Sequence, residues 1–393
     1  MVNLITFSFF LLALGLITSV SIVGLYQLIL FLPACYFLYI FFLERRKPPR
    51  SFFFLAVFML VACASLVVNL DSVANFSKSF GKLKFLFFGL SLVAVLSFWI
   101  PNVNVRHLKN IIHTFLSSII FSGAVAIYQF TASGGGRSEG LIGIMRYGYG
   151  SAMISVLLMG IIFQRKKLKL DVNLKLLFVA LIFAIVGVLL TQTRGALAGF
   201  LCALPLTLYF YRPKVGIFVG ILSLIIISII GYAYLFGTNT GAKNRFIKSR
   251  NEAGDVVRRE QWQSAIIATR EHPLLGWGYN NFYSQVERIK KQNNLKTQFY
   301  VNEHAHNIFL EVAAGTGLIG FAFFLLWLIT WAGECFKMEG AFRGIFVPFG
   351  VCMIVSGQFE VIFDTNNMTL ILFVYSVSQY LCLENNQQNY LNE

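Results

Sequence analysis

Charge is what this chain has least of: Asp, Glu, Lys and Arg make up 12% of its 393 residues, about half the share of an ordinary soluble domain. Acids are scarcer still, 17 against 32 Lys and Arg, which leaves a formal net charge of +15. Cysteine is sparse and unpatterned. Cys35, Cys63, Cys202, Cys335, Cys352 and Cys382 lie in or at the ends of apolar runs, with no Cys-x-x-Cys spacing and no paired His. That excludes a disulfide framework and a thiolate metal site, and reads as six buried apolar thiols. No Asp-x-Asp sequence occurs, and no basic residue precedes the first apolar run. The first helix is therefore expected to be retained and not to be cleaved as a signal peptide.

What is present is apolar: 57% hydrophobic residues, 41 of them Phe, with a mean hydropathy of +0.71. The runs are too long for a globular core, so an integral membrane protein is implied. In such a protein Lys and Arg report topology first, and the basic excess is not a nucleic-acid signal. A span needs about 20 apolar residues, and 4–43 is twice that without a charge, so it reads as a helical hairpin turning near Ser21 to Gln27. Further runs at 51–69, 85–101, 111–131, 149–164, 174–191, 195–211, 215–236, 306–333, 345–362 and 368–383 complete twelve spans. The fold class expected is an all-α polytopic membrane protein of about 12 transmembrane helices.

With the N-terminus in the cytoplasm, the short inner loops hold 15 of the 32 basic residues, among them Arg45, Arg46, Lys47, Arg50, Arg165, Lys166 and Lys167. The short outer loops hold six, Lys78, Lys82, Lys84, Arg137, Arg146 and Arg194. The other 11 fall in 237–305, and segments longer than about 60 residues cross the membrane largely regardless of charge. Both termini are expected inside. The layout is then helices one to nine over 1–236, one large outer loop or cap over 237–305 between helices nine and ten, helices ten to twelve over 306–383, and a short inner tail, 384–393. The outer segment lacks linker composition. Val256 to Ile267 has a helical pattern with Trp262, Ala265 and Ile266 on one stripe, and a turn follows at His272 to Gly278.

Four features carry candidate chemistry. Arg194, in Thr191-Gln192-Thr193-Arg194-Gly195-Ala196, sits at the outer membrane boundary. It is either a snorkelling anchor or, with Gly195 and Ala196 leaving space at a helix N-terminus, an anion site. Gly134-Gly135-Gly136-Arg137, followed by Arg146, is either a flexible connection or a backbone nest with an Arg for phosphate oxygens. Arg258 precedes Trp262 by one helical turn, so the ring could seat the guanidinium; a plain amphipathic helix salt-bridged through Arg259 and Glu260 is the blander reading. Finally, Glu303-His304-Ala305-His306-Asn307 introduces span ten, where Gly315, Gly317 and Gly320 allow a neighbouring helix close approach. The two His have no third metal ligand nearby, whereas a His with an ordinary pKa near 6.5 suits proton transfer from a hydroxyl. Arg137, Arg194, Arg258 and His306 all face the outer compartment in this topology, as a headgroup site with a base beside it would require.

The pattern His-[Asn/Ser/Gln]-x9-Gly-x-x-[Gly/Thr/Tyr], met by His306, Asn307, Gly317 and Gly320, resembles the signature of the bacterial O-antigen ligase and polymerase family, and the ligases within it most closely. Thr193 to Ala196, the Arg258 to Trp262 helix and Pro273 to Gly278 are similar too; Arg137 to Gly140 matches loosely, and Arg146-Tyr147-Gly148 departs from the Asn-Pro type of the family. The departure leaves open which of Arg137 and Arg146 binds phosphate. The resemblance implies a periplasmic glycosyltransferase of the bacterial inner membrane. Its donor would be a glycan on undecaprenyl diphosphate and its acceptor a sugar hydroxyl of the lipid A core, with membrane lipids around it, no nucleic acid partner, no cofactor and no metal. It implies His306, Arg194 and Arg258 as catalytic residues, with Arg137, Arg146, Asn307, Glu311 and Trp262 on the substrates, Glu311 in support only. The alternatives are a polymerase of the same glycan, a protein O-oligosaccharyltransferase, and, from another class, a transporter of an anionic lipid-linked glycan. A transporter is expected to show ionisable residues mid-span, and Glu360, toward the outer end of span eleven, is the main candidate.

Overall fold

The computed structural model describes residues 1–44, 46–168, 171–236, 253–295, 304–363 and 365–392. Glu303, and much of the segment read as an outer cap, lie outside them. The described residues form fourteen α-helices and no strand. In chain order these are α1 (Val2–Gly15), α2 (Val20–Leu43), α3 (Arg50–Val68), α4 (Phe76–Asn102), α5 (Val105–Ala132), α6 (Ile144–Leu168) and α7 (Leu174–Leu190). They continue with α8 (Arg194–Tyr211), α9 (Pro213–Phe236), α10 (Ala253–Glu271), α11 (Val286–Gln292), α12 (Ile308–Lys337), α13 (Gly340–Gly357) and α14 (Thr365–Asn392). Each of the twelve apolar runs has its helix. Among the described residues eight, α2 to α6, α8, α12 and α13, are long and apolar enough to cross a membrane; α1 and α7 are shorter apolar helices.

The bundle is apolar on its outer surface as well as in its core. Leu28, Leu32, Tyr39, Phe53, Leu60, Ile182 and Phe218 are all more than half exposed, a surface that would aggregate in water but matches acyl chains. α4 and α6 are the central helices, buried over 72% and 78% of their most apolar windows, while α5 is buried over only 33%. A helix apolar on all sides belongs in the middle of such an assembly.

Several expectations are corrected. The first hairpin turns at 16–19, ahead of Ser21, because the Ser19 side chain accepts from Ile22 N at 3.3 Å and starts α2 there. Asn366 fixes that turn from α14 by donating to the carbonyls of Gly15 and Leu16, at 3.2 and 2.9 Å. Of the six thiols only Cys335 and Cys352 are buried in protein; Cys35 and Cys202 are exposed on the outside of the bundle. α14 runs to Asn392, through residues read as a tail.

Residues 253–295 build a small second core in which Ala265, Ala268, Phe282, Val286 and Ile289 meet Ala305 and Ala314. The expected stripe on α10 is displaced: Ile266 is 42% exposed, whereas Gln261, Ser264, Ala265 and Ala268 face inward. Glu260 also pairs differently, with the buried Lys290 at 3.2 Å and not with Arg259.

α12 is broken. Gly317 has φ 66° and ψ −172°, so the helix is two pieces, 308–316 and 318–337. The interruption frees backbone groups that must find partners, and the turn before Gly278 supplies them. Leu318 N donates to Pro273 O at 2.7 Å, and Trp277 N donates to Ala314 O at 2.9 Å. Ser65 Oγ reaches Gly315 O, and Asn69 Nδ2 reaches Gly276 O, at 3.2 and 3.1 Å. A Cβ on Gly317 would fall 2.2 Å from Leu274 O. The glycines thus admit a loop into the helix as well as the expected close approach of a neighbouring helix, α3, whose Ser65 reaches Gly315 and whose Val61 lies against Gly320.

Candidate active site

The short first piece of α12 exists to present His306. Asn307 caps it, its Oδ1 accepting from Phe309 N and Leu310 N at 2.9 and 3.1 Å, while its Nδ2 donates to Gln358 O at 3.3 Å. One turn on, Glu311 folds back, and Ala305 N donates to its Oε2 at 2.9 Å. Two side chains of the helix therefore clamp the residues either side of His306. The clamp matters because His306 itself has φ 48°, a left-handed conformation that costs a non-glycine residue about 1–3 kcal/mol and persists only where surroundings impose it.

His306 Nδ1 donates to the carboxylate of Glu360, at 3.0 Å to Oε1 and 3.1 Å to Oε2. Both side chains are mostly buried, 17% and 12% exposed. A carboxylate on Nδ1 fixes the ring orientation and makes Nε2 the basic nitrogen of the neutral imidazole. Burial pushes the Glu360 carboxyl up, but the hydrogen bond and charge of His306, the Val361 amide and the charge of Arg258 reverse this and leave it below the usual carboxylate value. Glu360 belongs to the loop after α13, which ends at Gly357. It is thus neither within a span nor in the middle of one.

The arginines arrive from three other elements. Arg137 Nε donates to Thr191 O at 2.9 Å and its Nη2 to Thr193 Oγ1 at 3.3 Å, which ties the α5–α6 loop to the turn that carries Arg194. Ser138 N adds a bond to Leu190 O at 3.0 Å. Arg194 opens α8 and is exposed, as is Arg146 in the first turn of α6; neither has a hydrogen bond or ion pair among the described residues. Arg258 lies on α10, close enough for its charge to act on Glu360. Tyr149 joins the groups: it lies within electrostatic reach of Glu360, Arg258 and Arg137, and a Cβ on Gly195 would meet its hydroxyl at 2.3 Å and Phe359 Cβ at 2.6 Å.

Three local expectations change. The space beside Gly195 is filled by Tyr149 and Phe359 and is not open. The three glycine amides do not form a nest, since Gly134 N, Gly135 N and Gly136 N donate to Thr131 O, Phe130 O and Ser133 Oγ and close the end of α5. Trp262 is half-buried with its Nε1 unpartnered; the stacked guanidinium among the described cap residues is Arg288, 4.6 Å from the ring of Trp277. Sequence reasoning did not bring two residues into the cluster. Glu360 was singled out only as the acid a transporter would need, because nothing in a linear pattern joins it to a His 54 positions away. Tyr149 gave no signal beyond its neighbour Arg146.

Residues 179–325, which include Arg194, Arg258, His306, Asn307 and Glu311, match the protein-family model described as O-antigen ligase. Over that stretch, somewhat more than a third of its length, the chain is similar to the O-antigen ligase family. An uncharacterized protein of Haemophilus influenzae is 26% identical over 307 residues, 73% of this chain and 72% of its own length. The exopolysaccharide production protein ExoQ of Rhizobium meliloti is 34% identical over 73 residues, 18% of this chain and 16% of that protein. The matched stretch begins in α7 and ends within α12, so Arg137, Arg146, Tyr149 and Glu360 are contributed from outside it. The structure is that of a polytopic membrane protein, and the family its matched stretch resembles is described as O-antigen ligase.

Proposed function

We propose that the protein is an O-antigen ligase that moves a glycan from undecaprenyl diphosphate to a sugar hydroxyl of the lipid A core, at the periplasmic face of the inner membrane. The observation that carries this reading is the His306–Glu360 pair beside the elements bearing Arg137, Arg194 and Arg258. His306 Nε2 takes the proton of the acceptor hydroxyl as that oxygen bonds to the anomeric carbon. The bond from that carbon to the diphosphate oxygen breaks, and its electron pair leaves with the diphosphate. One in-line displacement inverts the anomeric centre.

Arg194, Arg258 and Arg146 hold the diphosphate and stabilise the charge that grows on it, each charge-assisted bond contributing about 1.5–3 kcal/mol. Arg matches phosphate oxygens in pairs, which Lys cannot. Arg137, whose Nε and Nη2 are engaged, positions the Arg194 turn. Asn307 and Glu311 position His306, and Trp262 supplies an apolar wall. With arginines to neutralise the leaving group, this chemistry calls for no metal. The stretch similar to ExoQ supports a second reading, polymerase, in which a second lipid-linked glycan is the acceptor. Lipopolysaccharide banding of a deletion strain separates the two. A ligase predicts loss of all capped polymer with lipid-linked polymer retained; core plus a single repeat identifies a polymerase.

A further inference from the structure

α5 lies alongside α1 but does not close on it. Ser122 Oγ donates to Ile17 O at 3.1 Å and ties the helices together just past the end of α1. Toward the start of α5 a groove of about 460 Å³ separates them, with Phe10 and Leu14 of α1 and Asn110, His113, Ser117 and Phe121 of α5 in its walls. All six residues are exposed, so the groove opens on the outer surface of the bundle, where lipid is expected. Its polarity is out of place there. Arg106, Asn110, His113 and Ser117 are spaced four, three and four residues apart and form one stripe along the helix. All four are exposed, and none of these side chains has a hydrogen bond or ion pair among the described residues. Donors left unpaired against hydrocarbon are costly, so the stripe calls for a polar ligand.

The ion pair of Lys109 with Asp171, its side chains 40% and 83% exposed, marks where the start of α5 meets water. From that level His113 and Ser117 lie about 6 and 12 Å further along the helix, at about 1.5 Å per residue, and Arg106 about 4–5 Å the other way. A phospholipid carries its groups in the same order: phosphate, then ester carbonyls, which only accept hydrogen bonds, then apolar chains. Arg106 meets the phosphate. Asn110, His113 and Ser117 donate to the glycerol and ester oxygens, and a chain follows Leu14 and Phe121 toward the midplane. Neither α1 nor α5 contains an acid, so nothing in the groove balances the ammonium of a zwitterionic headgroup. A second copy docked symmetrically through this face would bring like charges and the same donors together. We infer that the α1–α5 groove holds one anionic phospholipid, of the inner leaflet in the orientation proposed above. This needs a bundle that spans a membrane and nothing of the chemistry at His306, so the two stand or fall separately.

The full chain is purified in a nonionic detergent, offered equal amounts of phosphatidylglycerol and phosphatidylcholine, and weighed by native mass spectrometry. One phosphatidylglycerol is expected to stay bound, at about tenfold the occupancy of phosphatidylcholine. Arg106→Ala brings the two lipids to near parity. Asn110→Leu with His113→Leu and Ser117→Leu lowers retention of both, at an unchanged melting temperature, because leucine suits a helix face in lipid. Arg165→Ala with Lys167→Ala, in the last turn of α6, leaves the preference in place. Equal retention of the two lipids by the native chain, an undiminished preference in Arg106→Ala, or a loss as large in the α6 pair overturns the site. A dimer mass that disappears in the triple leucine variant overturns it too, by making the groove an interface between copies.

Discussion

His306 combines a strained backbone with a buried carboxylate partner, and each explains the other. The left-handed φ swings the imidazole off the axis of α12, and the Glu360 bond holds it there. Glu360→Gln keeps an acceptor for Nδ1 but removes the charge that stabilises a protonated ring. Transfer is expected to fall by less than in His306→Ala, with donor KM little changed, in a membrane assay with labelled lipid-linked glycan. The His304 pair makes a separate statement about pH. Burial disfavours the charged ring, yet the hydrogen bond and charge of Glu311 overcome it, so the folded value is raised above 6.5. Protonation therefore contributes stability that is complete below 6.5 and is lost as pH rises through the higher folded value. Glu311→Gln should flatten that alkaline decline, measured as the melting temperature of the detergent-solubilised chain from pH 6 to 9. At this scale the sequence showed which residue types were out of place, two histidines and arginines at a membrane boundary. It could not show Glu360 as a partner, because pairing across 54 residues is set by how α12 and α13 pack.

The elements were largely legible because hydropathy dictates them: a backbone in lipid must satisfy itself, so each long apolar run becomes a helix. Departures came where backbone hydrogen bonding, which hydropathy does not record, took over. The Gly-rich run after α5 serves as a helix end, and the Gly315–Gly317 stretch serves as a helix break. Both pairs of roles use the same residue, and only the tertiary partner tells them apart. Gly317→Ala combines a positive φ with a contact on Leu274 O, so it should cost about 1–3 kcal/mol and loosen the turn at 273–278. Lowered melting temperature with faster proteolysis between 253 and 295 would show it. An unchanged melting temperature would mean that the docked turn contributes little.

For the whole molecule, the sparse charge decides the surroundings and the few arginines decide the chemistry. The helices over the twelve apolar runs share out the basic residues so that groups such as Arg165 to Lys167, in the last turn of α6, and Arg212 and Lys214, at the junction of α8 and α9, lie at one end, while Arg137, Arg146 and Arg194 lie at the other. The proposed orientation, following the positive-inside rule, turns the first end to the cytoplasm. Alkaline phosphatase fused after residue 290 should be active and fused after residue 212 inactive, with a fluorescent protein giving the opposite pattern. The central claim, that His306 with Glu360 removes the acceptor proton beside an arginine-held diphosphate, is tested most directly by transfer in membranes carrying His306→Ala or Arg194→Ala at normal protein levels. The account predicts a loss of at least about 10²–10⁴-fold for the histidine and a comparable loss for the arginine, with lipid-linked donor accumulating in both. Unchanged glycan-capped lipopolysaccharide in the two variants would contradict it.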